Sequence, residues 1–486
     1  MKILSKNGNE LLLLAMREDA ASKGEYLLIE DRHRSMIVQV YDEEYLSSQA
    51  LIEDIIKEEV VNASSTENLR DPLNIGSLSR LVRDARIFRA KIRASVNDGK
   101  LSSDITWLPS RVESKIRRLA MKELDSLLGR QGVFPIPVGR TGDDEEFEIY
   151  AEDLDGKLTI ITGKKESGKS HLSKVLVKTL IQHGAFVIIF DLNNEYRGLG
   201  WSDVGIPSSI HRQVKVLEPG KTLRFTLDYC GKAAISGMLK NALDMPAASL
   251  REFLRIWDGL ENKQSLSIDA IGHAVNTWNI NELVRDALVS RYHVIHSSRL
   301  FVNGDQGLQF EDIVSGKSGA AMVINMGEVS PTVRRMVVEL VLSKIVDLLE
   351  RKQIPPIFLF AEEAHLYIRD TYWEDIITRM RHFGIYTTFI TNQPDAIGDG
   401  IYRQVDNIFL FNFTNDSDLD KISKVSLADN DTIRSIVRTL PQRCCLAIGK
   451  AVCDLPIVIK VAAPEVLMLG ETKKFFAEKL GYTTAT

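Results

Sequence analysis

Residues 158–196 read "LTIITGKKESGKSHLSKVLVKTLIQHGAFVIIFDLNNEY". An apolar run, a glycine-bounded polar loop, a helix-forming stretch and a second apolar run follow in order, as expected of strand, loop, helix, strand. Inside it, "GKKESGKS" fits the phosphate-loop pattern GxxxxGKS from Gly163 to Ser170. Gly163 and Gly168 let successive amides face inward around phosphate oxygens, at the positive end of the following helix. Lys164, Lys165, Glu166 and Ser167 form the body of the loop and His171 follows it. Lys169 is placed to reach the β and γ phosphates and Ser170 to ligate Mg²⁺, so ATP and Mg²⁺ are the expected cofactors. A second "SGKSG" at 315–319 is a decoy, since Glu311 stands where the first glycine is needed and no comparable helix follows directly.

A phosphate-loop site needs an acid at the end of another buried strand. "PPIFLFAEEAHLYI" supplies Glu362 and Glu363 after an apolar lead-in. Adjacent acids at a strand end point in different directions, so Glu362 is expected to hold the metal's water shell and Glu363 to polarise the attacking water as general base. A base placed for water favours hydrolysis over phosphoryl transfer to a small molecule. The base-reading NKxD element of switch GTPases is missing. Further on, "ITRMRHFGIYTTFITNQPDAI" ends an apolar strand at Asn392 and Gln393. Gln393 is expected to contact the γ phosphate or water, and Arg381 to stabilise transition-state charge in its own subunit or the next.

Around these motifs the pattern is that of a parallel sheet covered on both faces. Candidate strands are "KLTIIT", "AFVIIFD", "AAMVIN", "IFLFAE", "YTTFIT", "NIFLFNF", "CCLAIG" and "PIVIKV", with a helical insertion at about 230–305. The expectation is an α/β P-loop domain over 136–465, preceded by a small β domain with a helical and basic extension over 1–135 and followed by a tail at 466–486; resemblance to a known ATPase family, carried by the motifs together, implies that the former is a RecA-like ATPase domain and the latter β-barrel-like. Within the first domain, "GEYLLIEDRHRSMIVQVYDEEYL" reads as a hairpin and 52–70 as a helical or loosely ordered excursion. Residues 71–140 carry fourteen Lys or Arg against seven Asp or Glu, including "RLVRDARIFRAKIR" and "SRVESKIRRLAMK". That excess reads as a solvated helix face, or else as a surface facing a polyanion or another subunit. "VFPIPVGRTGDDEEFEIYAEDLDG", with its Pro, Gly and acid run, reads as an interdomain connection.

Composition sets the outer bounds. The chain has 486 residues, 44% hydrophobic and 26% charged, enough for more than one domain. Its net charge of -5 excludes a generally basic surface, so any nucleic-acid contact must come from a local patch or an enclosed channel. Cys230, Cys444, Cys445 and Cys453 show no CxxC zinc spacing or disulfide pattern. No stretch approaches the roughly 18 uninterrupted apolar residues of a membrane helix, and the apolar run near the start is short for a secretory signal, so a cytoplasmic location is expected.

The order "GKKESGKS", "FDLNNEY", "FAEEAH", "RHFGIYTTFITNQP" resembles the HerA branch of the FtsK/HerA superfamily of hexameric DNA-translocating ATPases. Asp191 and Glu195 match its FD-x-x-x-EY motif; Glu362, Glu363, Ala364 and His365 match EEAH; Arg381, Phe383 and Gly384 match RKFG; Gln393 and Pro394 align with SQRP. The opening hairpin is similar to the β-barrel that begins such proteins, and "LPQRCCLAIGKAVCDLPIVIKV" to their closing strands. The sequence departs from the family in "KKES", where relatives carry a smaller Gly- and Thr-rich loop, and in "RHFG" and "TNQP". Lys157 stands near a basic position that in some relatives reaches a neighbouring site.

The resemblance implies a homohexameric ring with double-stranded DNA in its channel, and a separate nuclease or effector chain, NurA-like in end resection or sirtuin-like or nuclease-like in anti-phage defence. Arg197 and Arg403, in loops after sheet strands, are the first candidate DNA contacts. The alternative is an ATP-binding scaffold ring that regulates an effector enzyme with little translocation. A kinase using the same loop is disfavoured by Glu363.

Overall fold

The computed structural model describes residues 1–46, 84–97, 99–102, 104–142, 144–316, 318–367, 380–413, 415–423 and 429–469. The excursion expected at 52–70 and the tail beyond residue 469 lie outside the described residues. The chain divides into two compact units. One comprises Met1–Tyr150, Gly163–Gly168 and Asn407–Val461; the other comprises Ala151–Thr162, Lys169–Asp406 and Ala462–Thr486.

The first unit opens with an antiparallel sheet of β1 (Lys2–Asn7), β2 (Glu10–Ala15), β3 (Tyr26–Asp31), β4 (Arg34–Tyr45), β5 (Arg86–Asn97), β6 (Lys100–Ser102) and β7 (Lys115–Arg118), in the order β1-β2-β5-β4-β3-β7 with β6 on β5. Alternate residues face one core: Leu11 and Leu13, Leu27 and Ile29, Met36, Val38 and Val40, Phe88, Ala90 and Ile92 are all buried together. Irregular register in the long β4–β5 pair, between Ile37 and Val38 and between Val40 and Asp42, bends the sheet. It curls into the small barrel-like domain that the opening hairpin suggested.

Where the structure describes the basic segment, its stretch "RIFRAKIR" is a strand and not a helix face. Arg86–Asn97 is β5, in mid-sheet between β2 and β4, because Ile87, Phe88, Ala90 and Ile92 supply the burial a strand needs. Its cations are matched at home: Arg86 pairs with Glu43, Arg89 with Glu44, Arg93 with Asp429, and Arg117 on β7 with Glu30 and Glu123. After the short helix α1 (Met121–Leu128) come β8 (Pro135–Arg140) and β9 (Glu146–Tyr150). This antiparallel hairpin replaces the expected connection. Pro135 and Pro137 lie where β8 pairs with β9, and Gly139 and Arg140 beyond them pair with a later strand.

The second unit holds six parallel strands, β10 (Thr159–Thr162), β11 (Phe186–Asp191), β12 (Val214–Leu217), β13 (Ala320–Asn325), β14 (Ile357–Glu362) and β15 (Ile385–Thr391), in the order β12-β13-β11-β14-β15-β10. Nearly every residue of these strands except β12 is buried, which is why they read as continuous apolar runs. Helix α2 (Lys169–Gln182) follows β10. Four helices, α3 (Leu227–Asn241), α4 (Ala247–Glu261), α5 (Ile268–Thr277) and α6 (Glu282–Ser298), intervene between β12 and β13. They are followed by α7 (Phe310–Val314), which ends at the decoy "SGKSG", so that second motif is a lead-in to β13. Helix α8 (Pro331–Glu350), capped by the Ser330 hydroxyl, returns the chain to β14, and α9 (Asp399–Tyr402) follows β15. Among the described residues no helix is long and apolar enough to cross a membrane.

The first unit resumes with β16 (Asn407–Phe411), α10 (Asp416–Ser423), α11 (Asn430–Thr439), β17 (Cys444–Gly449) and β18 (Ile457–Val461). Strands β16, β17, β18, β8 and β9 lie side by side, each pair antiparallel. They join the N-terminal sheet through buried contacts: Tyr26 Oη and Gln39 Nε2 both donate to Pro456 O, and Arg93 reaches Asp429 and Thr432 at the start of α11.

Candidate functional site

Parallel register sets the site. Thr162 lies level with Thr391, Ile390 with Glu362, Phe190 with Ala361, and Asp191 with Asn325. The carboxyl ends of β10, β15, β14, β11 and β13 therefore finish together, the edge where α/β sheets take their ligands. Lys169 and Ser170 open α2, which begins after β10, with Lys169 almost fully buried and Ser170 half-buried. His171 is also half-buried.

The loop itself belongs to the first unit. Lys164 N–H donates to Asn412 O, Arg443 N–H to Ser167 O, and Gln442 Nε2 to Glu166 O, so the strand ends at β16 and β17 hold its backbone from outside. Glycine is required at both ends. A Cβ on Gly163 would stand 2.4 Å from Phe411 Cβ, and one on Gly168 2.9 Å from Arg443 Cα with a φ of 120° already against it. Lys164, Lys165 and Glu166 are exposed, whereas Ser167 is buried and its hydroxyl finds no hydrogen-bond partner among the described residues.

The two acids are handled differently. Glu362 ends β14 at 2% exposure. Its Oε1 accepts from Tyr196 Oη at 2.8 Å, and Asn193 Nδ2 stands 3.4 Å from its Oε2. Burial, followed by the nearby charge of Glu195, pushes its carboxyl up to about 8. Asp191 is likewise raised, by burial first, though its carboxylate accepts the backbone N–H groups of Glu195 and Tyr196 at 3.0 Å. Glu363 sits in the left-handed region at φ 47°, a conformation uncommon for a residue with a side chain, and its carboxylate has partners different from those of Glu362. It meets the end of β15 instead: Asn392 Nδ2 stands 3.4 Å from Oε1, and His365 Nδ1 is 3.3 Å from Oε2 and 3.0 Å from Thr391 Oγ1.

An oxygen donor set of a serine hydroxyl and a carboxylate fits Mg²⁺, a hard cation that prefers such ligands. A buried carboxyl pushed far up, in the company of two further acids, is the electrostatic state that a bound cation would relieve.

The remaining expected residues are spread more widely. Gln393 is exposed at the start of a short 3₁₀ turn, and its neighbour Asn392 is the one that reaches Glu363. The sequence offers both amides side by side, and only the register of β15 separates them. Arg381 Nη2 pairs with Asp406 Oδ2 at 2.7 Å, and the same oxygen accepts from Leu158 N–H just before β10. Arg381 is thus at the amino end of the sheet, about 13 Å along β10 from Thr162 at 3.3 Å per residue. Within one copy it is removed from the acids. Arg197 and Arg403 are both exposed. Tyr196, which closes the "FDLNNEY" motif and carries no signal in the sequence for a role at the site, touches Glu362 through its phenol.

The family described as "Helicase HerA, central domain" matches residues 161–345. VirB4 of Thermoanaerobacter pseudethanolicus is similar in structure with a TM-score of 0.51 at 14% identity, covering 68% of this chain and 98% of that one. The bacterial conjugative coupling protein TrwB, lacking its first 70 residues, gives 0.52 at 13% identity, covering 74% and 95%. TrwB has also been solved with ADP and Mg²⁺, and that structure gives 0.51 at 14% identity, covering 72% and 96%. No curated protein matches the chain. The family match takes in the phosphate loop and the strands β11, β12 and β13, and the likeness to VirB4 and TrwB gives the chain the fold of the RecA-like P-loop proteins.

Proposed function

We propose that the chain binds ATP with Mg²⁺, hydrolyses it, and spends the cycle on moving double-stranded DNA through a homohexameric ring in the cytoplasm. The observation that carries this reading is the divergence of the two acids at the end of β14, one buried against Tyr196 and one turned toward the end of β15. Gly163–Gly168 would cradle the phosphates with backbone N–H groups, and Lys169 would neutralise the terminal phosphates. Ser170 and Glu362 would hold Mg²⁺ and its water shell; the ion, when bound, would neutralise charge on the phosphate oxygens. Glu363 would accept a proton from the attacking water. Asn392, and Gln393 beside it, lie where the state of Glu363 can be relayed into the loop that follows β15.

Arg381 would serve the site of a neighbouring copy, on release from Asp406, because in its own copy it stands at the opposite end of the sheet. Arg197 and Arg403 are proposed to meet the DNA backbone. Such a channel needs only a few cations per copy, repeated by symmetry, which agrees with a net charge of -5. The work would be done beside a separate nuclease or effector chain in DNA end processing or anti-phage defence.

The pairing of Arg381 with Asp406 favours a second reading, a scaffold ring in which bound ATP orders an effector and little translocation follows. Displacement of a triplex-forming strand from linear duplex DNA separates the two. The motor reading requires displacement by the wild type with ATP and none by Glu363→Gln; a wild type that hydrolyses ATP and leaves the triplex intact contradicts it.

A further inference from the structure

Tyr196 lies in the turn after β11 and is fully buried, the phenol oxygen being the one polar atom of its side chain. That phenol donates to Glu362 Oε1 at 2.8 Å and stands 2.6 Å from Ser173 Oγ. With its one proton given to the carboxylate, the oxygen accepts from Ser173. Ser173 lies on α2, one turn after Ser170, and its hydroxyl is also 3.2 Å from Ser170 O. The phenol therefore bridges the helix that presents the serine and the strand that presents the acid.

The turn that delivers it is itself fastened. Asp191, the last residue of β11, accepts from Glu195 N–H and Tyr196 N–H, which fixes the backbone from which the ring projects. Lys174, on α2 next to Ser173, lies over the ring at 5.7 Å. On the other side of the carboxylate Asn193 from the same turn approaches Oε2. Every group in this arrangement comes from the segment Asp191–Tyr196, from α2 or from the end of β14.

We propose that Tyr196 is a positioning residue for the metal site, a strut that sets the distance between Ser170 and Glu362 through Ser173 and fixes the orientation of the Glu362 carboxylate through Oε1. This rests on the reading of Ser170 and Glu362 as the Mg²⁺ pair. It also gives the sequence "FDLNNEY" a job that needs no contact with nucleotide: the aspartate folds the turn and the tyrosine holds the acid. A ring that served packing alone would need no hydroxyl, so phenylalanine should replace it without effect on the metal.

The test is Mn²⁺ affinity, read by the loss of free-ion electron paramagnetic resonance signal in the presence of ADP, for the full-length wild type and Tyr196→Phe. The expected result is a dissociation constant for Mn²⁺ raised about 10- to 100-fold, the range for loss of a group that orients a metal ligand. ADP affinity in EDTA should be unchanged. Ser173→Ala keeps the phenol and is expected to shift Mn²⁺ affinity in the same direction by less; it also serves if Tyr196→Phe fails to fold. Mn²⁺ affinity of Tyr196→Phe within about twofold of the wild type, or equal loss of ADP affinity in EDTA, overturns the strut. A wild type that binds no Mn²⁺ with ADP overturns the metal-site reading, and the strut with it.

Discussion

The carboxyl end of β14 and the basic strand β5 are both dense in ionisable side chains, and the protein treats them in opposite ways. Along β5 and β7 each named arginine faces an acid of its own chain, so the local excess of positive charge is cancelled at short range. At β14 the acids raise one another: Glu362 is pushed up by burial and then by Glu195, Asp191 and Glu363. A net count of charges along the sequence points to the first region as the place where a polyanion should bind. The placement of partners points to the second, where buried acids are gathered and raise Glu362. Uncompensated buried charge, rather than abundance of charge, marks the functional site.

That contrast can be broken by substitution. Glu363→Gln should lower ATP hydrolysis about 10²- to 10⁴-fold, as for loss of a general base, with the melting temperature held or raised because a like charge beside Glu362 is gone. Steady-state phosphate release and a thermal melt check both halves. Arg93→Ala should do the reverse. Arg93 is mostly buried against Asp429 and Thr432, so its loss should cost about 1–3 kcal/mol of stability and leave hydrolysis per folded molecule unchanged.

A finer test uses pH. Burial raises the Asp429 carboxyl, and the Thr432 N–H and the Arg93 guanidinium more than offset this, so the folded group is held below the usual aspartate range. A depressed carboxyl contributes stability that is present above the unfolded value of about 3.9 and is lost as pH falls through the folded one. Asp429→Asn retains a good cap for α11 and removes the charge. Its melting temperature should approach that of the wild type as pH is lowered below about 4, and lie below it at neutral pH. Arg117→Ala, on the exposed side of the same sheet, should change stability by no more than about 0.5 kcal/mol, since its pairs with Glu30 and Glu123 are about half exposed.

Legibility followed burial. Ala320–Asn325, Ile357–Glu362 and Cys444–Gly449 were read residue for residue, because strands covered on both faces leave continuous apolar runs bounded by polar turns. Strand β12, "VKVL" at the edge of the sheet, was missed because two of its residues are half-buried and one exposed, which breaks the run. Strand β5 reads as a helix face in sequence because its charges recur at Arg86, Arg89 and Arg93, a helical interval, while the apolar residues between them alternate only in part. Prolines at 135 and 137 hid β8.

At the site, the loop and both acids were legible because each is defined by residue type beside an apolar strand. Which of two adjacent amides meets Glu363 was not, since it depends on register, and neither was the hydroxyl of Tyr196, whose partner lies 166 residues away. That Arg381 braces the far end of β10 depends on Asp406, a residue with no signal of its own.

The central claim is that nucleotide turnover at Glu362 and Glu363 is coupled to duplex DNA. The measurement that tests it most directly is ATP hydrolysis by the purified full-length chain with and without linear duplex DNA, with Lys169→Ala as the blank. The account predicts hydrolysis that DNA stimulates and that falls to background in Lys169→Ala. Hydrolysis that is lost in Lys169→Ala and yet ignores DNA would contradict the motor and leave the scaffold ring in its place.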